Sequence, residues 1–252
     1  MIVNVVKVDL DLQMNKLKIM VVGDVHGRWG ALNKLIDKKS PDIILQCGDF
    51  GYWPNFHNTE TVTTYANRRK RILWDAYGIK CQNTKIYFCD GNHEDHWELN
   101  KFDKPTKIYD NIRYMPRGSS ITLPDGRNVL FMGGAESIDK WNRTIGYDWF
   151  PEETITQKDI YELTDNNVDI IISHTCPTEF MTNIKDRLNY WVDDTKFIDP
   201  SQHALTAVLE KYKPSLWYFG HFHQHMTDCH NNTKWFLLNT IGETLFWRWL
   251  EK

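Results

Sequence analysis

The chain has 252 residues, 41% hydrophobic and 25% charged, with a formal net charge of −3. That length supports one sizeable core, and the expectation is a single α/β domain over residues 1–252. The slightly acidic balance gives no electrostatic footprint for non-specific polyanion binding. No run approaches the roughly 18 consecutive apolar residues of a membrane span. The N-terminus also lacks a basic stretch followed by an apolar one. Together these features predict a cytoplasmic protein without a membrane partner. Five cysteines (Cys47, Cys81, Cys89, Cys176, Cys229) make an odd set without C-x-x-C spacing, which argues against a disulfide framework or a zinc knuckle. Cys47 and Cys89 lie in apolar runs and read as small core residues.

Ile2 to Val8 alternates as a strand, and Leu17 to Val22 is an apolar strand ending at Gly23-Asp24. Ala31 to Lys38 reads as a helix, followed by a strand from Asp42 to Gln46 that ends at Gly48-Asp49. Val62, Tyr65, Ala66, Leu73 and Ala76 share one face at helical spacing, so a helix is expected there. It would carry the dense basic cluster Arg68-Arg69-Lys70-Arg71 as a solvated face. Lys85 to Cys89 is the next strand, and Ile121 to Met132 reads as a hairpin around the turn Pro124-Asp125-Gly126. Thr156 to Leu163 is expected to be helical, Val168 to Ile172 a strand, and Ser201 to Lys211 a helix. Leu216 to Phe219, Trp235 to Leu238 and Thr244 to Trp249 complete the strands. This alternation marks a layered α/β domain.

Five polar motifs each close a predicted strand: Asp24-Val25-His26, Gly48-Asp49, Gly91-Asn92-His93, Ser173-His174 and Gly220-His221-Phe222-His223. In open α/β sheets, ligands collect in the loops beyond the carboxyl ends of strands. A thiolate-free set of carboxylates, imidazoles and an amide oxygen suits Mn²⁺, Fe, Zn²⁺ or Ni²⁺, and is a poor match for Ca²⁺. In extended backbone, positions i and i+2 share one face, so Asp24 with His26, and His221 with His223, can reach a common ion. Asp49 is the candidate to bridge two cations. His57, His96, His203, His225 and His230 fall outside the pattern and read as ordinary core or surface residues.

In the order GDVHG, GDFG, GNHE, SHTCP, GHFH, the motifs resemble the calcineurin-like metallophosphoesterase superfamily, and the segment from Gly133 to Glu152 resembles a stretch found in uncharacterised bacterial and phage members. The resemblance spans residues 23–223. It implies a two-sheet α/β/β/α sandwich with a dinuclear metal centre. By position, Asp24, His26, Asp49 and His223 would hold the first divalent ion. Asp49, Asn92, His174 and His221 would hold the second, with Mn²⁺ ranked ahead of Fe, Zn²⁺ and Ni²⁺. His93 matches the family's non-ligand histidine, which protonates the leaving group or stabilises the transition state. The implied reaction is phosphoester hydrolysis by a hydroxide shared between two metals about 3.5–4 Å apart. No serine or cysteine nucleophile is needed.

Two departures bear on the subfamily. Protein Ser/Thr phosphatases read GDxxDRG where this chain has Gly48-Asp49-Phe50-Gly51-Tyr52-Trp53, so the phosphate-gripping arginine of that branch is missing. RNA-debranching phosphodiesterases share GNHE and GHFH forms but carry cysteine where His26 stands. The segment from Gly133-Gly134-Ala135-Glu136-Ser137 through Arg143, Trp149 and Glu152 defines a candidate active-site loop, residues 133–155. Arg28 and Arg143 are the candidates to grip phosphate, since a planar guanidinium matches paired phosphate oxygens. Trp53 and Trp149 are candidates to stack a base or aryl group, whereas Trp217, Trp247 and Trp249 read as core or interface. The expected substrate is a small phosphoester, a nucleotide or a short nucleic-acid end, as monoester or diester. The alternatives are a Ser/Thr-type phosphatase, a debranching-like phosphodiesterase and a non-catalytic scaffold.

Overall fold

The computed structural model describes residues 5–7, 17–54, 62–64, 68–70, 78–79, 81, 83–185 and 199–251. In chain order the strands begin with β1 (Val5–Lys7), β2 (Ile19–Val22), β3 (Ile43–Gln46), β4 (Val62–Thr64) and β5 (Arg68–Lys70). They continue with β6 (Lys85–Phe88), β7 (Thr106–Tyr109), β8 (Ile112–Tyr114), β9 (Ser119–Thr122) and β10 (Asn128–Met132). The remainder are β11 (Ile170–Ser173), β12 (Leu216–Phe219), β13 (Met226–His230), β14 (Thr233–Leu237) and β15 (Trp247–Trp249). The α-helices are α1 (Trp29–Lys39), α2 (His96–Leu99), α3 (Gln157–Tyr161), α4 (Thr178–Lys185) and α5 (Pro200–Tyr212).

One sheet orders its strands β15-β2-β3-β6-β8-β7 and the other β1-β9-β10-β11-β12-β14-β13. Successive residues of a strand face opposite sides, which sorts the apolar side chains into three layers. Val21, Ile43, Leu45 and Tyr87 of the first sheet meet Phe131, Ile172, Tyr218 and Phe236 of the second between the sheets. Their chain neighbours Met20, Val22, Ile44 and Phe88 turn outward to pack with Leu32, Leu35 and Ile36 of α1. On the far side, Ile171, Trp217, Phe219 and Trp235 lie under Phe180 of α4 and Leu205 and Val208 of α5. This is the expected α/β/β/α sandwich.

Each fully buried Leu, Ile, Val or Phe contributes roughly 1.5–3 kcal/mol relative to an exposed one. The strand interiors are therefore given over to apolar groups, and polar chemistry is left to the strand ends. Because β2, β3 and β6 run parallel, as do β11 and β12, the loops following each group open on one edge of its sheet.

The hairpin of β9 and β10 pairs Thr122 with Asn128 around the turn expected at Pro124-Asp125-Gly126. Thr156 caps α3 in a reciprocal capping box with Asp159, which sets where that helix starts. The helix expected over 62–76 is corrected. Val62–Thr64 and Arg68–Lys70 are antiparallel strands, pairing Val62 with Lys70 and Thr64 with Arg68. The run Val62-Thr63-Thr64 is β-branched, which favours a pleated surface over a helix. Tyr65, Ala66, Arg71, Leu73 and Ala76 lie outside the described residues, as does His57. Among the described residues no helix is long and apolar enough to cross a membrane.

Candidate metal centre

The site is built in the loops that follow β2, β3, β6, β11 and β12. The i, i+2 argument made for the two D/H-x-H pairs does not hold, because these residues lie past their strands. Instead the backbone turns sharply: His26, Asp49, His221 and His223 all adopt left-handed conformations, with φ of 47°, 50°, 69° and 49°. For residues with a Cβ such conformations cost of order 1–3 kcal/mol each and persist where the surroundings over-determine them. Two glycines allow the approach. A Cβ at Gly220 would overlap Asp24 Oδ1, and one at Gly91 would overlap Asp49 Oδ1. Gly220→Ala is therefore expected to destabilise the metal-free protein by about 1–3 kcal/mol through overpacking, read as a lowered Tm. An unchanged Tm would show that Asp24 is not held against this turn.

The side chains converge as two clusters. In the first, His26 Nε2 and His223 Nε2 are 3.0 Å apart. His26 Nε2 lies 3.7 Å from Asp24 Oδ2 and 3.6 Å from Asp49 Oδ2. Donor atoms of Asp24, His26, Asp49 and His223 all fall within 4.8 Å of one another. In the second, Asn92 Oδ1 lies 3.0 Å from His174 Nε2 and 3.1 Å from His221 Nδ1. Those two nitrogens are 3.3 Å apart. Asp49 stands between the clusters, with Oδ2 toward His26 and Oδ1 3.4 Å from His174 Nε2.

The donor set fits divalent cations. Asp24 Oδ2 is buried without a well-aligned hydrogen-bond donor, and what lies near it is the imidazole of His223, whose Nε2 stands 3.0 Å away. A buried, unsatisfied carboxylate oxygen is costly unless something positive meets it. His174 Nδ1 sits 2.8 Å from the Cys47 carbonyl. Donating there turns Nε2 toward the cluster, the atom from which such an imidazole would meet a metal. Without a cation, burial alone would depress His174, but Asp49 and Asp24 outweigh it and lift the imidazole to about 10, so at neutral pH Nε2 holds a proton that a metal would have to displace. Burial would likewise raise Asp49, yet His174, His93 and His26 hold its carboxyl well below the usual range. Two buried carboxylates thus recruit whatever positive charge is available. Burial and His174 together push His221 down to about 3, which leaves it a neutral donor.

His93 is tied to the cluster by its backbone N–H, which donates to Asp49 Oδ1 at 2.8 Å. Its Nε2 lies 3.3 Å from Arg143 Nη2. Burial, reinforced by Arg143 and His26 against the opposing pull of Asp49, sets its pKa well below the ordinary histidine value. Arg143 is itself held 2.7 Å from Asp139 Oδ1. Of the two arginines expected to grip phosphate, Arg143 is thus brought beside His93. Exposed Arg28 instead donates to the Ile241 carbonyl at 2.7 Å.

Sequence reasoning did not single out several residues that shape the site. Glu94 accepts from the backbone N–H groups of Gly51 and Gly91, clamping two of the turns together. Burial with neighbouring Asp49 raises it to about 8. Asp90 and Arg117 form a buried ion pair at 2.7 Å, and Arg117 also donates to the carbonyls of Glu152, Glu153 and Thr154. This pins the 133–155 loop to the strand end that carries Asn92. Glu152, noted from sequence, is exposed, and its neighbour Glu153 is the one buried in the site. Only the GNHE motif carried a local sign of any of these, for Glu94. The stacking expectation for Trp53 is corrected: it is 2% exposed and packs on Phe150. Trp149 is half-buried and donates from Nε1 to Glu153, which anchors the ring by its edge. Trp217 is core as expected, and His96 is a buried histidine resting on the Gly91 carbonyl.

The profile of the calcineurin-like phosphoesterase family matches residues 17–225, which contain every motif residue described above. The chain belongs to this family. Among curated relatives, the human CWF19-like protein 1 is 24% identical over 170 residues, 64% of this chain and 28% of that protein. The Drosophila melanogaster homolog is 26% identical over 168 residues, 65% of this chain and 27% of that one. The matched part of this calcineurin-like chain thus spans little more than a quarter of those relatives' length. Among solved structures, a phosphopantetheinyl hydrolase from Mycobacterium tuberculosis is similar at 14% identity and a TM-score of 0.42, covering 92% of this chain and 96% of that one.

Proposed function

We propose that the chain is a dinuclear metal-dependent phosphoesterase. Asp24, His26, Asp49 and His223 would hold one divalent ion and Asp49, Asn92, His174 and His221 the other, with Mn²⁺ ranked ahead of Fe, Zn²⁺ and Ni²⁺. The observation that carries this reading is the placement of Asp49, whose two oxygens face different donor clusters. Bound in this way, a metal pair supplies Lewis acidity toward phosphoryl oxygens and an activated water at neutral pH. The protein's own groups do the rest. His93 stands beside the bridging carboxylate, neutral at rest because its pKa is lowered; the negative charge of a bound phosphoester would raise that pKa and let it donate a proton or hydrogen bond to a departing oxygen. Arg143, adjacent to His93, offers a planar fork to the non-bridging phosphate oxygens.

Substrate preference follows from what replaces the missing arginine. Tyr52 and Trp53 are 7% and 2% exposed, so neither presents a polar grip where protein phosphatases carry one. A monoester dianion is held less firmly, and one oxygen position is freer to bear a second ester group. We expect measurable activity on bis-aryl phosphates or short nucleotides and little on phosphoserine or phosphothreonine peptides. Arg143→Ala should raise KM more than it disturbs metal content. The deciding comparison is kcat/KM on a phosphopeptide panel against diesters and nucleotides, after loading with Mn²⁺, Zn²⁺ or Ni²⁺. A clear preference for phosphopeptides would overturn the subfamily reading and leave the metal centre intact.

A further inference from the structure

An asparagine side chain presents an oxygen at one end of its amide and an NH₂ at the other, and only the oxygen can meet a cation. Something must therefore decide which end of Asn92 faces His174 and His221. The deciding chain of contacts leads away from the site into the 133–155 loop. Asn92 Nδ2 lies 3.0 Å from Ser137 Oγ, and Ser137 Oγ lies 2.7 Å from Glu153 Oε2. Glu153 Oε1 accepts from Trp149 Nε1 at 2.9 Å and from the Ser137 backbone N–H at 2.6 Å. Asn92, Ser137 and Glu153 are 5%, 1% and 1% exposed, so bulk water offers little substitute for these partners.

The direction of each hydrogen bond follows from the outer end inward. An indole N–H and a backbone N–H can only donate, so Glu153 Oε1 must accept. Burial raises the Glu153 carboxyl to about 7, so above neutral pH it is ionised, has no proton to give, and its second oxygen must accept from the Ser137 hydroxyl. That hydroxyl has spent its proton and turns a lone pair toward Asn92. The amide answers with its NH₂, which leaves Oδ1 facing the two histidines. We propose that Glu153, acting through Ser137, is a positioning residue that sets the orientation of the Asn92 amide and so presents its oxygen to the second metal position. The ion pair of Arg117 with Asp90 holds this relay in register, since Arg117 also binds the Glu153 carbonyl. The inference rests on the reading of Asn92 as a ligand, and the test separates the two.

Glu153→Gln keeps size and shape but reverses polarity. With the glutamine oxygen retained by the two fixed N–H donors, its NH₂ faces Ser137. The hydroxyl then accepts from it and turns its own proton toward Asn92, favouring the flipped amide. The experiment is a calorimetric titration of the metal-stripped full chain with Mn²⁺ at about pH 8, above the raised value of the Glu153 carboxyl. Variants are Glu153→Gln, Ser137→Ala, Asn92→Ala and Asn92→Asp, with Glu153→Gln repeated in the Asn92→Asp background, and circular dichroism to confirm folding. Glu153→Gln and Ser137→Ala should each weaken one of two binding events by roughly 10–100-fold, the usual loss on removing an outer partner of a ligand, and spare the other. A carboxylate presents oxygen at both ends, so in the Asn92→Asp background Glu153→Gln should cause no further loss, and it frees the Ser137 proton to meet the new carboxylate. An equal loss in that background would mean that Glu153 merely supports packing, and the proposal fails. Loss on Asn92→Ala with none on Glu153→Gln or Ser137→Ala would also overturn it while leaving the ligand assignment standing. Unchanged binding in Asn92→Ala would instead overturn the ligand assignment itself. Should Glu153→Gln not fold, Ser137→Ala carries the same comparison.

Discussion

Asp49→Asn should remove the metal-dependent rise in thermal stability and bring phosphoesterase turnover to background. Asp49 is the only side chain whose oxygens face both donor clusters among the described residues, 3.6 Å from His26 and 3.4 Å from His174. Asparagine can still accept the His93 backbone N–H but replaces one charged oxygen by an NH₂ that repels a cation. Affinity at both positions should fall by more than the roughly 10–100-fold typical of an outer partner. In the wild type, metal at 100 times its Kd should add about 2.7 kcal/mol per site, visible as a higher Tm on adding Mn²⁺. The check is a pair of thermal scans, with and without Mn²⁺, alongside elemental analysis. A variant that keeps two ions and the full Tm rise would show that Asp49 is not shared.

The second large effect is expected at His93. His93→Ala should retain both metals, since the backbone N–H that binds Asp49 survives the substitution. Turnover on substrates with poor leaving groups should fall roughly 10²–10⁴-fold, the usual worth of a positioned acid or base. Aryl esters, whose leaving groups need little protonation, should lose much less. Loss of the imidazole also frees Arg143, which now lies 3.3 Å from it, so a modest change in KM is expected on both classes. The measurement is kcat across a series of leaving-group pKa values. A uniform loss across the series would assign His93 to charge stabilisation instead of proton delivery, and loss of metal would make it a ligand.

Much of the site was readable locally because its chemistry is local. A carboxylate or imidazole beside glycine at the end of an apolar run announces itself within a few residues, and Asp24, His26, Asp49, Asn92, His93, His174, His221 and His223 all come together as their types implied. The same holds for the strand alternation and the β9–β10 turn, which depend on period and turn chemistry. Where the sequence reading erred, a longer-range contact decided. Scattered apolar residues matched a helical period over 62–76, but cross-strand pairing of Val62 with Lys70 prevailed. Trp53 looked available for stacking until Phe150, almost a hundred positions on, covered it. Glu152 and Glu153 cannot be told apart from composition, and only the loop's docking through Arg117 buries the second and leaves the first in solvent. Residue type and order thus specified the family, the layered fold and the inventory of donor atoms. Which oxygen faces which cluster, and which end of Asn92 points inward, came from tertiary contacts alone, because a hydrogen bond's direction depends on partners brought from distant parts of the chain.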